Sequence, residues 1–369
     1  MKTIVLGGGL MGSATAFFLA QRGLPVCLID RGAIGAGATV ASFGNIRRTG
    51  RYLPQLPLAH RARALWGRAE SLLGRDVEFR ATGHLRLIFD QPSFDDMTTF
   101  AQAARPWGLS LEVVEPAQLR KQFPGLGPDA IGASFSPQDG SANPRLVAPA
   151  FADAAARTGA QIVDQAGHVQ VHAQNGSFTV RTARGDFNAD VVVNCAGAWG
   201  REIAAQFGED VPLRMAGPQM GVTEPLPHRI VPVVGMWSQD RGAYLRQVER
   251  GNVVFGGAVA QVPVACGSFA KIDPSLTATQ LAQVVRLCPA LADVAVIRQW
   301  SGCEGYVSDG LPVMGPSTTT PGLFHAFGFC GHGFQLGPAV GDVMAELVAT
   351  GQCTTPLAPF AISRFASCP

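Results

Sequence analysis

The chain has 369 residues, more than one hydrophobic core usually accommodates, so two intimately joined domains are expected. Apolar residues make up 47% and charged ones 15%, against about a quarter in average domains, which points to large buried areas and leaves room for homo- or hetero-oligomeric interfaces. A net charge of +2 gives no electrostatic footprint for nucleic acid, and no run of 18 apolar residues offers a membrane span; the eight cysteines show no CxxC pair or zinc spacing, so no metal site is expected and reduced thiols in a cytoplasmic protein are the reading.

In chain order, Thr3-Ile4-Val5-Leu6 reads as a strand, Gly7-Gly8-Gly9-Leu10-Met11-Gly12 as a turn, and the apolar run to Ala20 as a helix. A second strand, Val26-Cys27-Leu28-Ile29, ends in Asp30, with Arg31 beside it. This is the strand, glycine turn, helix, strand and acid of a dinucleotide-binding unit. Gly7 allows the tight turn, Gly9 lets a pyrophosphate approach the backbone, and Gly12 lets helix and strand pack closely. Leu10 and Met11 then open a helix whose free N–H groups and positive dipole end face the phosphates. Asp30 stands where a carboxylate accepts ribose hydroxyls. The glycines fall where this turn needs them, so the apolar start is read as structure and not as a signal peptide.

Residues 31–51 are rich in glycine, alanine and arginine; Arg47, Arg48 and Arg51 lie within five positions and call for an anion nearby. Helices are expected over 58–73, over 143–156 after Asn143-Pro144, and over 274–288. A strand is expected over 82–89. Residues 161–187 read as an antiparallel meander turning at Asn175-Gly176, and Val191 to Asn194 as a buried parallel strand entering the small-residue turn Cys195 to Trp199. Residues 211–260 suggest a second β-sheet. Strands at 294–300 and 323–327 follow, then Gly328-Phe329-Cys330-Gly331-His332-Gly333-Phe334-Gln335 and a final helix near 336–349.

Four motifs, taken together, resemble the FAD-dependent amino-acid oxidoreductases of the D-amino-acid oxidase superfamily, the branch with glycine oxidase, sarcosine oxidase and D-amino-acid dehydrogenase. They are Gly7 to Gly12 with Asp30, Ser42-Phe43-Gly44-Asn45, Asn194-Cys195-Ala196-Gly197-Ala198-Trp199, and the block from Asp309-Gly310-Leu311-Pro312 to Phe334. More narrowly, the chain resembles β-type subunits of bacterial D-hydroxyproline or opine dehydrogenases. The resemblance implies an α/β plus antiparallel β fold: a Rossmann-like FAD-binding domain (1–50, 140–200 and 300–369) interleaved with a substrate domain on an antiparallel sheet (51–139 and 201–299). It implies that Ser42, Gly44 and Asn45 lie near the pyrophosphate or flavin, that Val169 contacts the adenine, and that Ala196, Gly197 and Trp199 pass close to the nucleotide. Gly302 and the loop Gly331, His332, Gly333, Phe334 and Gln335 would meet the flavin, the loop supporting negative charge on its pyrimidine edge.

The implied reaction removes a hydride from the carbon next to the nitrogen of a D-amino acid or secondary amino acid, D-hydroxyproline being the first expectation, and gives an imine. Arg47, Arg48, Tyr244, Glu304 and His332 are the side chains expected to hold that substrate. Two departures matter. Glu304 stands where glycine-oxidase-like members carry a carboxylate-binding arginine, so either the anchor moves to the arginines at 47–51 or the substrate differs, and Glu304 is left to receive the amine or a ring hydroxyl. The strand 252–258 has no lysine where sarcosine oxidases place one over the flavin, and the chain has only Lys2, Lys121 and Lys271. A dehydrogenase with a quinone, a carrier or a partner subunit as acceptor is therefore expected. The alternatives are an oxidase releasing hydrogen peroxide and a flavin-binding subunit of a heteromeric enzyme. Cys303 and Cys330 lack the spacing for a covalent link, so FAD is expected to be non-covalent. The expected place is cytoplasmic, or peripheral at the inner membrane face.

Overall fold

The computed structural model describes residues 1–227, 229–238, 242–259, 261–264 and 270–365. Apolar strands too short to alternate need cover on both faces, and Thr3–Leu6, Val26–Ile29 and Val191–Asn194 are buried at every position. They form the centre of a six-stranded sheet in which Thr3–Leu6 pairs in parallel with Val26–Ile29 on one side and Val191–Asn194 on the other. Leu323–Phe327 extends it in parallel, and Val313–Pro316 closes that edge antiparallel.

The helix Leu10–Gln21 is apolar on all sides because all sides are covered. It packs on the sheet and on the helices Pro144–Arg157 and Gly333–Thr350. Glycine sets the closeness of the last contact: a Cβ on Gly341 would stand 2.5 Å from the Ala14 carbonyl carbon, and one on Gly337 would strike Leu10. The two ends of the chain are thereby locked side by side. Asn143 caps the helix Pro144–Arg157, its side chain accepting from the Arg145 N–H.

An eight-stranded, mostly antiparallel sheet is built from segments 84–136 and 219–301, with one parallel pair joining His84–Ile88 to Val233–Met236. Its core is separate from that of the first sheet.

Several expected elements are corrected. Gln161–Val163 belongs to the parallel sheet, pairing with Val26–Ile29, so the antiparallel meander covers Gln170 to Ala189 only. The helix expected over 58–73 is two helices, Leu56–Trp66 and Ala69–Leu73, parted at Gly67. The final helix begins at Gly333, inside the glycine loop, and this places its N-terminus in the site described below. Cys27, Cys195, Cys288, Cys330 and Cys353 are free thiols and Cys303 is buried; Cys266 and Cys368 lie outside the described residues. Among the described residues no helix is long and apolar enough to cross a membrane, and no group of three or more His, Cys, Asp or Glu is placed to hold a metal.

Candidate active site

Two helix N-termini converge on one cleft, and neither has a side-chain cap. Gly9 leads Leu10–Gln21 and His332 leads Gly333–Thr350; the Leu10 N–H goes to the Thr39 hydroxyl, and the next first-turn N–H groups are left for an anion. The cleft is lined by Gly7, Gly9, Leu10, Met11, Asp30, Arg31, Ser42, Val169, Ala196, Gly197, Trp199, Gly331, Gly333 and Phe334, as well as by Glu304. At its floor the backbone leaves no room for side chains. Gly7 has φ +101°, and a Cβ there would strike the Cys195 carbonyl; a Cβ on Gly12 would strike the carbonyl of Gly7.

Asp30 ends its strand with both carboxylate oxygens turned back on the chain. Oδ2 accepts the Gly8 N–H at 2.5 Å and Oδ1 the Gly32 N–H at 2.7 Å, leaving each oxygen a further lone pair toward the cleft. Burial raises its pKa in spite of these bonds. On the far wall the Arg31 guanidinium lies 3.6 Å from the centre of the Trp199 ring, and the buried Trp199 indole N–H has no partner in the protein. An acid for hydroxyls, two helix N-termini for phosphates, a spare donor and a floor that a Cβ would fill together fit an adenine dinucleotide such as FAD.

Six residues expected near the cofactor do not line this cleft. Gly12 lies beneath it as the packing glycine. Gly44 packs on the chain at Ala142, where a Cβ would collide, and Gly302 packs on Ala41. The Asn45 side-chain amide donates to His84 Nε2 at 3.2 Å. Gln335 is turned away from the cleft, its amide donating to the Ala59 carbonyl at 2.8 Å. His332 borders a second cavity of about 550 Å³ together with Tyr52, Arg214 and Tyr306. Sequence reasoning also missed residues that are there: Thr39, whose hydroxyl accepts the Leu10 N–H at 3.0 Å, and His168, beside Val169.

The partition between the two cavities is chemical. Cys330 lines both, and the Tyr306 hydroxyl on one side donates to Glu304 Oε2 on the other at 2.8 Å. Burial lifts the Glu304 pKa above the ordinary carboxylate value, the Tyr306 bond opposing it, and burial together with the Glu304 charge keeps both Tyr306 and Tyr244 protonated. Tyr244 meets the Phe43 ring edge-on at 4.7 Å and points its hydroxyl at Met220 Sδ, 3.7 Å away.

The charge of Arg47 reaches Tyr244, and Arg47 belongs to a set of cations that lines neither cavity. Arg47 donates to the carbonyls of Thr49 and Gly50. Arg51, 5% exposed, donates to the carbonyls of Arg47 at 2.8 Å and His332 at 3.2 Å. Arg86, on the strand His84–Ile88, was not anticipated: it donates to the Met236 carbonyl at 3.2 Å and lies 4.1 Å over the Trp237 ring. Burial and the Arg47 charge bring its pKa down to about 9. Burial and the three arginines hold His332 far below its usual value, so its ring is neutral, with Nδ1 3.1 Å from Gln55 Oε1. Arg48 is the exception among the expected residues. Its guanidinium and its backbone N–H both go to Asp139, each at 2.9 Å, which makes it a structural ion pair outside this cluster.

The FAD dependent oxidoreductase family matches residues 2–347 of the chain. Glycine oxidase of Geobacillus kaustophilus is 28% identical over 98% of the chain and 96% of its own length. The β chain of the sarcosine oxidase of Rhizobium meliloti is 28% identical over 98% of this chain and 88% of its own length. The L-proline dehydrogenase structure from P. horikoshii superposes with a TM-score of 0.91 at 27% identity, covering 99% of this chain and 97% of that one. Some longer curated relatives are spanned over less than half their length. With the cleft built for a dinucleotide and a family match over nearly its whole length, the chain belongs to the FAD dependent oxidoreductases and is an FAD-binding enzyme.

Proposed function

We propose that the chain oxidises the carbon–nitrogen bond of a secondary amino acid, cyclic as in D-hydroxyproline or N-substituted, and that it works as a dehydrogenase. The observation that supports this most directly is that Tyr244 lies within reach of the charges of both Arg47, a carboxylate-binding group, and Glu304, an amine-binding group that lines the dinucleotide cleft and is held by Tyr306. When bound, FAD supplies the two-electron oxidant that takes the hydrogen from the carbon next to nitrogen. The protein's part is placement. Guanidiniums grip a carboxylate in a fixed plane, which orients the reacting carbon. Glu304, with its raised pKa, accepts a proton from the substrate ammonium and frees the nitrogen lone pair that becomes the C=N bond. Tyr306 holds that carboxyl in position, and neutral His332 supports the site without adding charge. Water then adds to the C=N carbon, releasing the amine and a 2-oxo acid or, from a ring, the open chain.

We also propose that residues 1–50, 140–200 and 300–369 form the FAD-binding domain and 51–139 and 201–299 the substrate domain; the membership of the two large sheets supports this. For the acceptor, Lys2, Lys121 and Lys271 are all exposed and none lines either cavity, which favours a quinone, a carrier or a partner subunit over oxygen. That the sarcosine oxidase relative is one chain of a multi-chain enzyme, as its name says, supports testing for partner chains. The test is anaerobic. Secondary amino acids, cis-4-hydroxy-D-proline, L-proline and N-methylglycine among them, are added to the yellow holoprotein, and bleaching of its visible absorbance is followed. Bleaching by secondary amino acids is the expected result; bleaching by primary amino acids alone would overturn the proposal.

A further inference from the structure

The hydrogen bond between Tyr306 and Glu304 joins two spaces that the backbone keeps apart. Both residues lie on the strand Glu304–Val307, two positions from each other, so their side chains leave the same face of it. Yet Glu304 lines the dinucleotide cleft alone and Tyr306 the second cavity alone. The glycine loop completes the wall between them. The Cys330 N–H donates to the Gly305 carbonyl at 3.1 Å, and the Val307 N–H donates to Cys330 Sγ at 3.2 Å. Gly331, which lines the cleft, backs the bond itself: a Cβ there would stand 3.6 Å from Glu304 Oε2 and 3.7 Å from the Tyr306 hydroxyl oxygen.

A base that takes a proton from each substrate molecule must lose it before the next one. Among the described residues the Glu304 carboxylate has one hydrogen-bond partner, Tyr306. Tyr244 feels the Glu304 charge but points its hydroxyl at Met220 Sδ instead. The second cavity, about 550 Å³, opens to solvent past the exposed Tyr52, Arg201, Arg214 and Ser308, so the Tyr306 side of the wall is the wet one. Arg214 stands directly across from Tyr306 on the neighbouring strand, its guanidinium 4.7 Å from the ring centre, and its charge eases release of the hydroxyl proton. Burial and the Glu304 charge outweigh that pull and keep the hydroxyl protonated at rest, so Tyr306 can pass a proton on without holding a charge of its own.

Resting on the reading of Glu304 as the group that deprotonates the substrate, we propose that Tyr306 is a proton relay and that the second cavity is its outlet. The O–H bond of the protonated Glu304 carboxyl breaks as that proton bonds to the Tyr306 oxygen, and the Tyr306 hydroxyl proton passes to water in the cavity. No electrons move in this step. Rotation of the hydroxyl then restores its bond to Glu304, now a carboxylate again. Cofactor and substrate occupy one side of the wall while protons leave by the other, so a filled cleft does not block the resetting of the base. Tyr306 acts through Glu304 and is a positioning and relay residue.

A relay and a mere support for Glu304 separate when one turnover is compared with many. The substrate is a secondary amino acid that bleaches the unaltered holoprotein. In Tyr306→Phe, anaerobic bleaching needs Glu304 to accept a single proton and is expected to slow less than about fivefold. Steady turnover with phenazine methosulfate as acceptor needs Glu304 emptied in every cycle and is expected to fall at least about 30-fold. Tyr306→Ala opens the wall, so its turnover is expected to rise as imidazole is added, a small base then reaching Glu304 from the cavity. The phenylalanine variant, its ring still in the way, should not respond. Bleaching and turnover slowed alike in Tyr306→Phe would overturn the inference and leave Tyr306 as a support. Unchanged turnover would overturn it too, sending the proton out through the cleft; both results leave the secondary-amine reading standing. Should Glu304→Gln bleach at the unaltered rate, the role given to Glu304 falls and the relay with it.

Discussion

Around Gly7, Gly12 and Asp30 the contacts are made by backbone: N–H groups on a carboxylate, carbonyls where a Cβ would stand, two open helix N-termini. Around Arg47, Arg86 and Glu304 the reverse holds, with long polar side chains arriving from strands and loops far apart in sequence and carrying unequal charge. A region that recognises by shape tolerates no added atom, because its neighbours are main chain and cannot step aside. A region that recognises by charge tolerates changes of shape and fails when a charge is lost. The first fixes where the nucleotide lies; the second decides which molecule is brought to it.

The largest effect is expected at the shape-built end. Gly12→Val drives a branched side chain into the Gly7 carbonyl, and flavin content, read as the ratio of visible to ultraviolet absorbance, should fall to about a tenth or less. Next comes Glu304→Gln. Retained flavin with kcat/KM reduced about 100-fold is expected, the size of a lost acid–base group. The pH profile sharpens this. Burial places the Glu304 pKa above the ordinary carboxylate range, so activity needing its ionised form falls as pH drops through that raised value. In the glutamine variant this acid limb should vanish; if it persists, another group carries the proton.

A smaller effect concerns the acceptor. With no lysine lining either cavity, the substrate-reduced protein should be reoxidised by a quinone or dye well ahead of air, as followed by return of the yellow colour. The smallest lies outside both regions. Glu209 is buried, which alone would raise its pKa, but bonds from His325, Thr318 and Ser317 bring it down to about 2. A depressed carboxylate contributes stability that is present above its ordinary value of 4.5 and lost as pH falls toward 2. Glu209→Gln should therefore cost about 2 kcal/mol near neutral pH in urea unfolding, a gap that narrows on acidification, with substrate affinity unmoved.

The same contrast explains what was legible in the sequence. Glycine spacing encodes backbone geometry directly, so Gly7, Gly9, Gly12, Asp30 and the loop at 331–334 were readable from local pattern. Gly44, Gly302 and Gln335 share the composition of that loop and turn, yet they pack against Ala142, Ala41 and Ala59, a choice made by tertiary neighbours. Arg86 sits in an alternating strand as one of two polar residues, with His84, where nothing local separates it from a surface arginine. Arg48 and Arg47 are adjacent and chemically identical. Only the fold reveals that Asp139, 91 positions from Arg48, takes one and leaves the other. The final helix begins three residues earlier than its apolar pattern suggests, at Gly333, a residue type that reads locally as loop.

The most direct test of the separation between a backbone-built cofactor end and a charge-built substrate end is Arg47→Met, assayed for flavin content and for anaerobic bleaching by a secondary amino acid. The account predicts full flavin content, normal reduction by dithionite, and a substrate bleaching efficiency lowered about 100-fold or more, the scale of a charge left without its partner. Loss of flavin, with the remaining holoprotein bleaching at the unaltered rate, would contradict it and place Arg47 with the cofactor.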